Sequence, residues 1–67
     1  MNWELIIKEV QEYRELNLKL LSAKVGASSP YLHHLRKGIR KSPSFDIGLA
    51  IIKLHPNKAE LLKWNHH

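Results

Sequence analysis

Sixty-seven residues suffice for one domain with a modest core, and they leave little room for an enzyme with a deep pocket. The apolar content of 43% is that of a folded globule, yet no stretch is long and apolar enough to span a bilayer. Eleven Lys and Arg against six Asp and Glu give a net charge of +5, and the lack of cysteine excludes a disulfide framework and a thiolate metal site. An intracellular, cytoplasmic protein is the simplest expectation, because the segment Trp3 to Val10 carries Glu4, Lys8 and Glu9 where a signal peptide would be apolar.

The first helix is expected after Asn2, whose side chain can cap the unpaired N–H groups of a first turn. Trp3, Ile6, Ile7, Val10 and Tyr13 or Arg14 recur at three- and four-residue spacing, so they share one face. Asn17 opens a second helix, with Leu18, Leu21 and Val25 on a common stripe. Gly26 supplies the positive φ that a tight turn between two helices needs. Ser28 then caps a third helix, Pro30 sits in the first turn where its missing N–H is not required, and Gly38 ends it. Leu32 and Leu35 of that helix face the core. Ile39 to Pro43 reads as a basic connector, and Ser44 as the cap of a fourth helix that turns Phe45, Leu49, Ala50 and Ile52 inward and leaves Ile51 outside. His55-Pro56 stops it, because the residue before a proline is pushed out of the α region. Asn57-Lys58-Ala59-Glu60 has capping-box spacing and opens a short fifth helix, 57–65. No strand pattern or internal repeat interrupts this series, so the expected class is all-α, one domain over 1–67.

Charge is sorted along the chain. Residues 1–18 hold Lys8 and Arg14 against Glu4, Glu9, Glu12 and Glu15, and residues 42–67 hold Lys53, Lys58 and Lys63 against Asp46 and Glu60. Between them, residues 19–41 carry Lys19, Lys24, Arg36, Lys37, Arg40 and Lys41 with no acid at all. A polyanion is the natural partner for that middle third.

Leu16-Asn17, Lys24-Val25-Gly26, and Leu32 and Leu35 with Gly38 resemble the lambda-type repressor and Cro family of phage and bacterial regulators. Lys41-Ser42-Pro43-Ser44-Phe45 before a helix containing Leu49-Ala50 resembles the loop and fourth helix of that family, and the likeness covers roughly residues 3–64. It implies a compact five-helix domain with a helix-turn-helix over 17–38, formed by helices two and three. Two departures matter. Leu18 stands where the family often has a Gln that braces a phosphate, and Gln11 and Arg36 stand where relatives tend to pair an Arg with a Glu. Arg36 is thereby released for Glu12, Glu15 or DNA.

The resemblance places helix three in the major groove, its N-terminal half toward base edges. Ser29, Pro30, His33, His34 and Lys37 are then the base-reading face. Ser29 can donate or accept, Pro30 offers apolar contact, and none forms the bidentate Arg–guanine or Asn–adenine pair that discriminates most strongly. Direct readout should therefore be modest, with DNA shape supplying the remainder. Phosphate contacts are expected from Asn17, Lys19, Ser28, Tyr31, Arg36, Arg40, Lys41 and Ser44, together with helix N-termini. Tyr31 can equally pack on helix two. Ile51, Leu61, Leu62 and Trp64 are the expected dimer contact, since so short a helix with three large apolar groups usually covers a further surface.

These expectations combine into a sequence-specific repressor, Cro-like and of phage or prophage type, that binds a two-fold double-stranded DNA operator as a homodimer. With no room for a cleavable dimerisation domain, a compact regulator or an excised domain of a longer repressor is expected. The alternative is a protein-interaction or antitoxin-type module on the same fold, with autoregulatory DNA binding. No catalytic residue, cofactor, small-molecule ligand, membrane or metal is expected; His33 and His34 are adjacent and point about 100° apart on a helix, unlike an i,i+4 ligand pair. His66 and His67 are either a tag remnant or a natural tail and carry no weight.

Overall fold

Asn2, Asn17 and Ser28 each start a helix by accepting the unpaired amide three residues on. The computed structural model describes residues 1–65, with side chains as far as Lys63. In it Asn2 Oδ1 accepts from the Leu5 amide at 3.1 Å, Asn17 Oδ1 from Leu20 at 2.8 Å, and Ser28 Oγ from Tyr31 at 3.2 Å. These caps open α1 (Trp3–Arg14), α2 (Leu18–Val25) and α3 (Ser29–Arg36). The fold is all-α, with α4 (Phe45–Leu54) and α5 (Lys58–Leu61) following, then a 3₁₀ turn over Leu62–Asn65. No helix among the described residues is long and apolar enough to cross a membrane.

The first three helices end by one device. A left-handed residue reverses the chain, and the amide after it reaches back five residues. After α1 the reversal is Glu15 (φ 55°), and the Leu16 amide donates to the Gln11 carbonyl at 2.9 Å. After α2 it is Gly26 (φ 76°), with Ala27 donating to Ser22 at 3.0 Å. After α3 it is Gly38 (φ 79°), with Ile39 donating to His34 at 2.9 Å. Both glycines were legible as breakers; the Glu was not. Gln11 reinforces the first reversal by donating its side-chain amide to the Leu16 carbonyl at 3.3 Å.

The core takes Trp3, Ile6, Ile7 and Val10 from α1, Leu21 and Val25 from α2, Leu32 and Leu35 from α3, and Ile51 and Ile52 from α4. Leu16 and Leu18 pack against it from the rim. The expected stripes of the first three helices are thus realised, except that Tyr13 is exposed, its ring lying 5.3 Å from the Arg14 guanidinium.

The fourth helix corrects the sequence reading. Its buried face is Gly48, Ile51 and Ile52, continuing to His55, and half-buried Ala50 packs against the core as expected, while Phe45 is 58% exposed and Leu49 only half-buried. Ile51 has no exposed surface at all and is core, not an outer contact. The apolar run is nearly continuous here and does not define a face; a polar tether does. His55 is buried, with Nε2 2.9 Å from Glu9 Oε1 on α1 and Nδ1 accepting from the Asn57 amide at 2.9 Å. Ile51 lies one turn before His55, so it turns inward with it. Arg14 Nε, donating to the Leu54 carbonyl at 3.1 Å, ties the end of α1 to the end of α4.

Neither late cap forms as expected. Ser44 makes no side-chain cap bond, and its own amide is spent on the Tyr31 hydroxyl at 2.8 Å. Asn57 also makes none, because its backbone (φ −104°, ψ 35°) is not the extended conformation from which a capping side chain reaches the helix amides. The fifth helix is accordingly only four residues before it tightens to 3₁₀ geometry.

Candidate functional site

Two eight-residue helices, α2 and α3, joined through Gly26, Ala27 and Ser28, carry most of the acid-free basic stretch. Leu32 and Leu35 are fully buried, which forces the opposite side of α3 outward. Ser29, Pro30, His33, His34 and Lys37 are all exposed there, and the first four line one shallow depression. At about 1.5 Å per residue, α3 is about 12 Å long.

The flanking polar groups have their hydrogen-bonding direction set by the caps. Asn17 uses its carbonyl oxygen on the Leu20 amide, which leaves its NH₂ group to donate. Ser28 Oγ accepts from Tyr31, so its hydroxyl hydrogen is free. Tyr31 Oη accepts from Ser44, and its hydrogen too is available. All three present donors, the polarity that a phosphate oxygen requires. Tyr31 also packs against the hydrophobic core.

The connector is ordered by its backbone. The His34 carbonyl accepts from Ile39 and also from Arg40, at 3.1 Å for the latter. The Arg40 guanidinium lies 4.8 Å from the centre of the Tyr31 ring, within cation–π range. Arg40, Tyr31 and Ser44 therefore converge, with Lys41 exposed beside them in sequence and Lys19 exposed on the first turn of α2. The first turns of α2 and α3 contain no acid, whereas that of α4 contains Asp46. An anion is thus better received at α2 and α3 than at α4.

Arg36 does not join this group. It is half-buried in a groove with Asn2, Glu4, Leu5 and Lys8, over the first half of α1. Among the described residues it forms no ion pair. Leu18 is half-buried against the core. Of the expected dimer residues, Ile51 is internal, and Leu61 and Leu62 are half-buried against the core. The Trp64 side chain, His66 and His67 lie outside the described residues.

One residue near the site escaped the sequence. Ser22 is buried on α2, donates to the Lys19 carbonyl at 2.7 Å and touches the Ser29 hydroxyl at 3.2 Å. A mid-helix serine between Leu21 and Ala23 gives no sign of a contact across the turn. Comparison with known protein families, characterised proteins and solved structures finds no match for the chain.

Proposed function

We propose that the chain is a sequence-specific DNA-binding regulator of the lambda-repressor and Cro type, with α2 and α3 as its helix-turn-helix. The observation that carries this reading is the coincidence of an acid-free basic stretch, residues 19–41, with an exposed helix face flanked by side chains that keep a donor unspent. In this mechanism α3 enters the major groove of an operator. Asn17, Lys19, Ser28, Tyr31, Arg40 and Lys41 hold the phosphates on either side. Occupancy blocks polymerase, and no chemistry is required. A second copy on a two-fold operator, meeting through the surface of Leu61, Leu62 and Trp64, makes the repressor a dimer. A small phage or prophage regulator acting in the cytoplasm fits this mechanism.

The test is a titration of the protein against the DNA upstream of its own coding sequence and against an unrelated duplex, at several salt concentrations. Three cations on phosphates per protomer, Lys19, Arg40 and Lys41, give a dimer slope of log affinity against log salt on the order of −5. Tighter binding to the upstream DNA is expected throughout. Equal affinity for both duplexes at every salt rejects sequence-specific repression, and a slope near zero rejects DNA binding altogether.

A further inference from the structure

Ser29 opens α3 on its exposed side, and its hydroxyl lies 3.2 Å from that of Ser22. Either oxygen could donate if the pair stood alone. It does not. Ser22 Oγ is also 2.7 Å from the Lys19 carbonyl oxygen, and a carbonyl can only accept. A serine hydroxyl owns one hydrogen, so that of Ser22 is committed to Lys19. The hydrogen between the two serines must then come from Ser29. Ser22 is buried while Ser29 is exposed, so the inner end of this relay is fixed, and the Ser22 carbonyl is held in the turn by the Ala27 amide at 3.0 Å.

We propose that Ser22 makes Ser29 an acceptor-only base reader, which selects an exocyclic amino group in the major groove: N6 of adenine or N4 of cytosine. This rests on the reading of α3 as the groove helix. With its hydrogen turned inward, Ser29 shows only lone pairs to DNA. It is repelled by phosphate oxygens and by guanine O6 and N7 or thymine O4, all of which are acceptors. Its polarity is opposite to that of Asn17, Ser28 and Tyr31, which present donors. Donors thus stand where phosphates lie, and an acceptor stands where base edges lie. Ser22 itself touches no DNA in this arrangement and acts as a positioning residue.

The experiment begins with selection from a random duplex pool by the full chain and by Ser29→Ala. Wild type is expected to enrich a two-fold motif, and Ser29→Ala to lose its preference at one base pair per half-site with the rest kept. At that pair, replacing the adenine or cytosine by the analogue lacking its exocyclic amino group should weaken wild type roughly three- to tenfold more than it weakens Ser29→Ala. Reversing the pair puts an acceptor before Ser29. Wild type and the hydroxyl-retaining Ser22→Thr should lose affinity, and Ser22→Ala, with the Ser29 hydrogen released, should lose less. Three results overturn the proposal while leaving DNA reading intact: an unchanged motif for Ser29→Ala, equal loss on amino deletion in both proteins, or equal reversal penalties in wild type and a folded Ser22→Ala. If circular dichroism shows Ser22→Ala unfolded, the wild-type and Ser29→Ala comparison decides alone. Failure of wild type to enrich any sequence overturns the DNA reading itself.

Discussion

His55 shows how one side chain can orient a helix. Because its Nδ1 accepts from the Asn57 amide, the neutral ring carries its hydrogen on Nε2 and donates it to Glu9. Truncation removes both bonds and leaves the Asn57 N–H without its acceptor. His55→Ala should therefore lower stability by about 2–3 kcal/mol in urea unfolding, whereas Glu9→Gln, which retains an acceptor oxygen, should cost less than about 1 kcal/mol. Equal losses would mean that the charge of Glu9, and not the hydrogen bond, holds the ring. His55 was legible as a helix stop from the proline after it. Its burial was not, because the partner lies 46 positions away and a pattern of local spacing does not reach that far. The same limit hid Ser22, whose role depends on a contact across a turn, while the exposed face of α3 could be read from Leu32 and Leu35 alone.

The shared ending of α1, α2 and α3 makes a prediction possible for each element boundary. A left-handed backbone costs a residue with a Cβ roughly 1–2 kcal/mol, and glycine largely escapes it. At Gly26 an added Cβ would meet nothing within 4 Å, so the cost of substitution is the backbone's alone. Gly26→Ala should lower stability by about 1 kcal/mol. Glu15 holds the equivalent position at φ 55° with a full side chain, and Glu15→Gly should raise stability by up to about 1 kcal/mol. Opposite shifts of the two unfolding midpoints are the expected result; a loss at Glu15→Gly would mean that its side chain compensates the strain. Element by element, capping residues and glycines could be read wherever they act locally, as at Asn2, Asn17, Ser28, Gly26 and Gly38. The face of α4 could not, since Phe45–Leu54 is apolar on nearly every side and only tertiary contacts, with α1 through the His55–Glu9 bond and with α2, choose among its faces.

Across the whole molecule, charge is partitioned so that an acidic α1 and a basic α2–α3 region belong to one small body of 30 × 23 × 19 Å. This partition was fully legible, since charge order needs no tertiary information; which of the basic residues act together was not. Arg36 sits over α1, while Arg40, no closer to the helix cap Ser28 in sequence, is stacked on Tyr31 next to the start of α4. Position, more than net charge, should then govern DNA affinity. If Arg40 meets one phosphate per protomer, Arg40→Ala removes two contacts from a dimer and should make the salt slope shallower by about 2, weakening specific and non-specific binding alike. Lys53, exposed at the far end of α4 and outside the basic stretch, provides the control of equal charge. Lys53→Ala should leave the slope within about half a unit of wild type, because a cation that touches no phosphate releases no counterion. Equal slopes for the two variants would show that attraction follows total charge, and the arrangement around Tyr31 would then have no part in holding DNA.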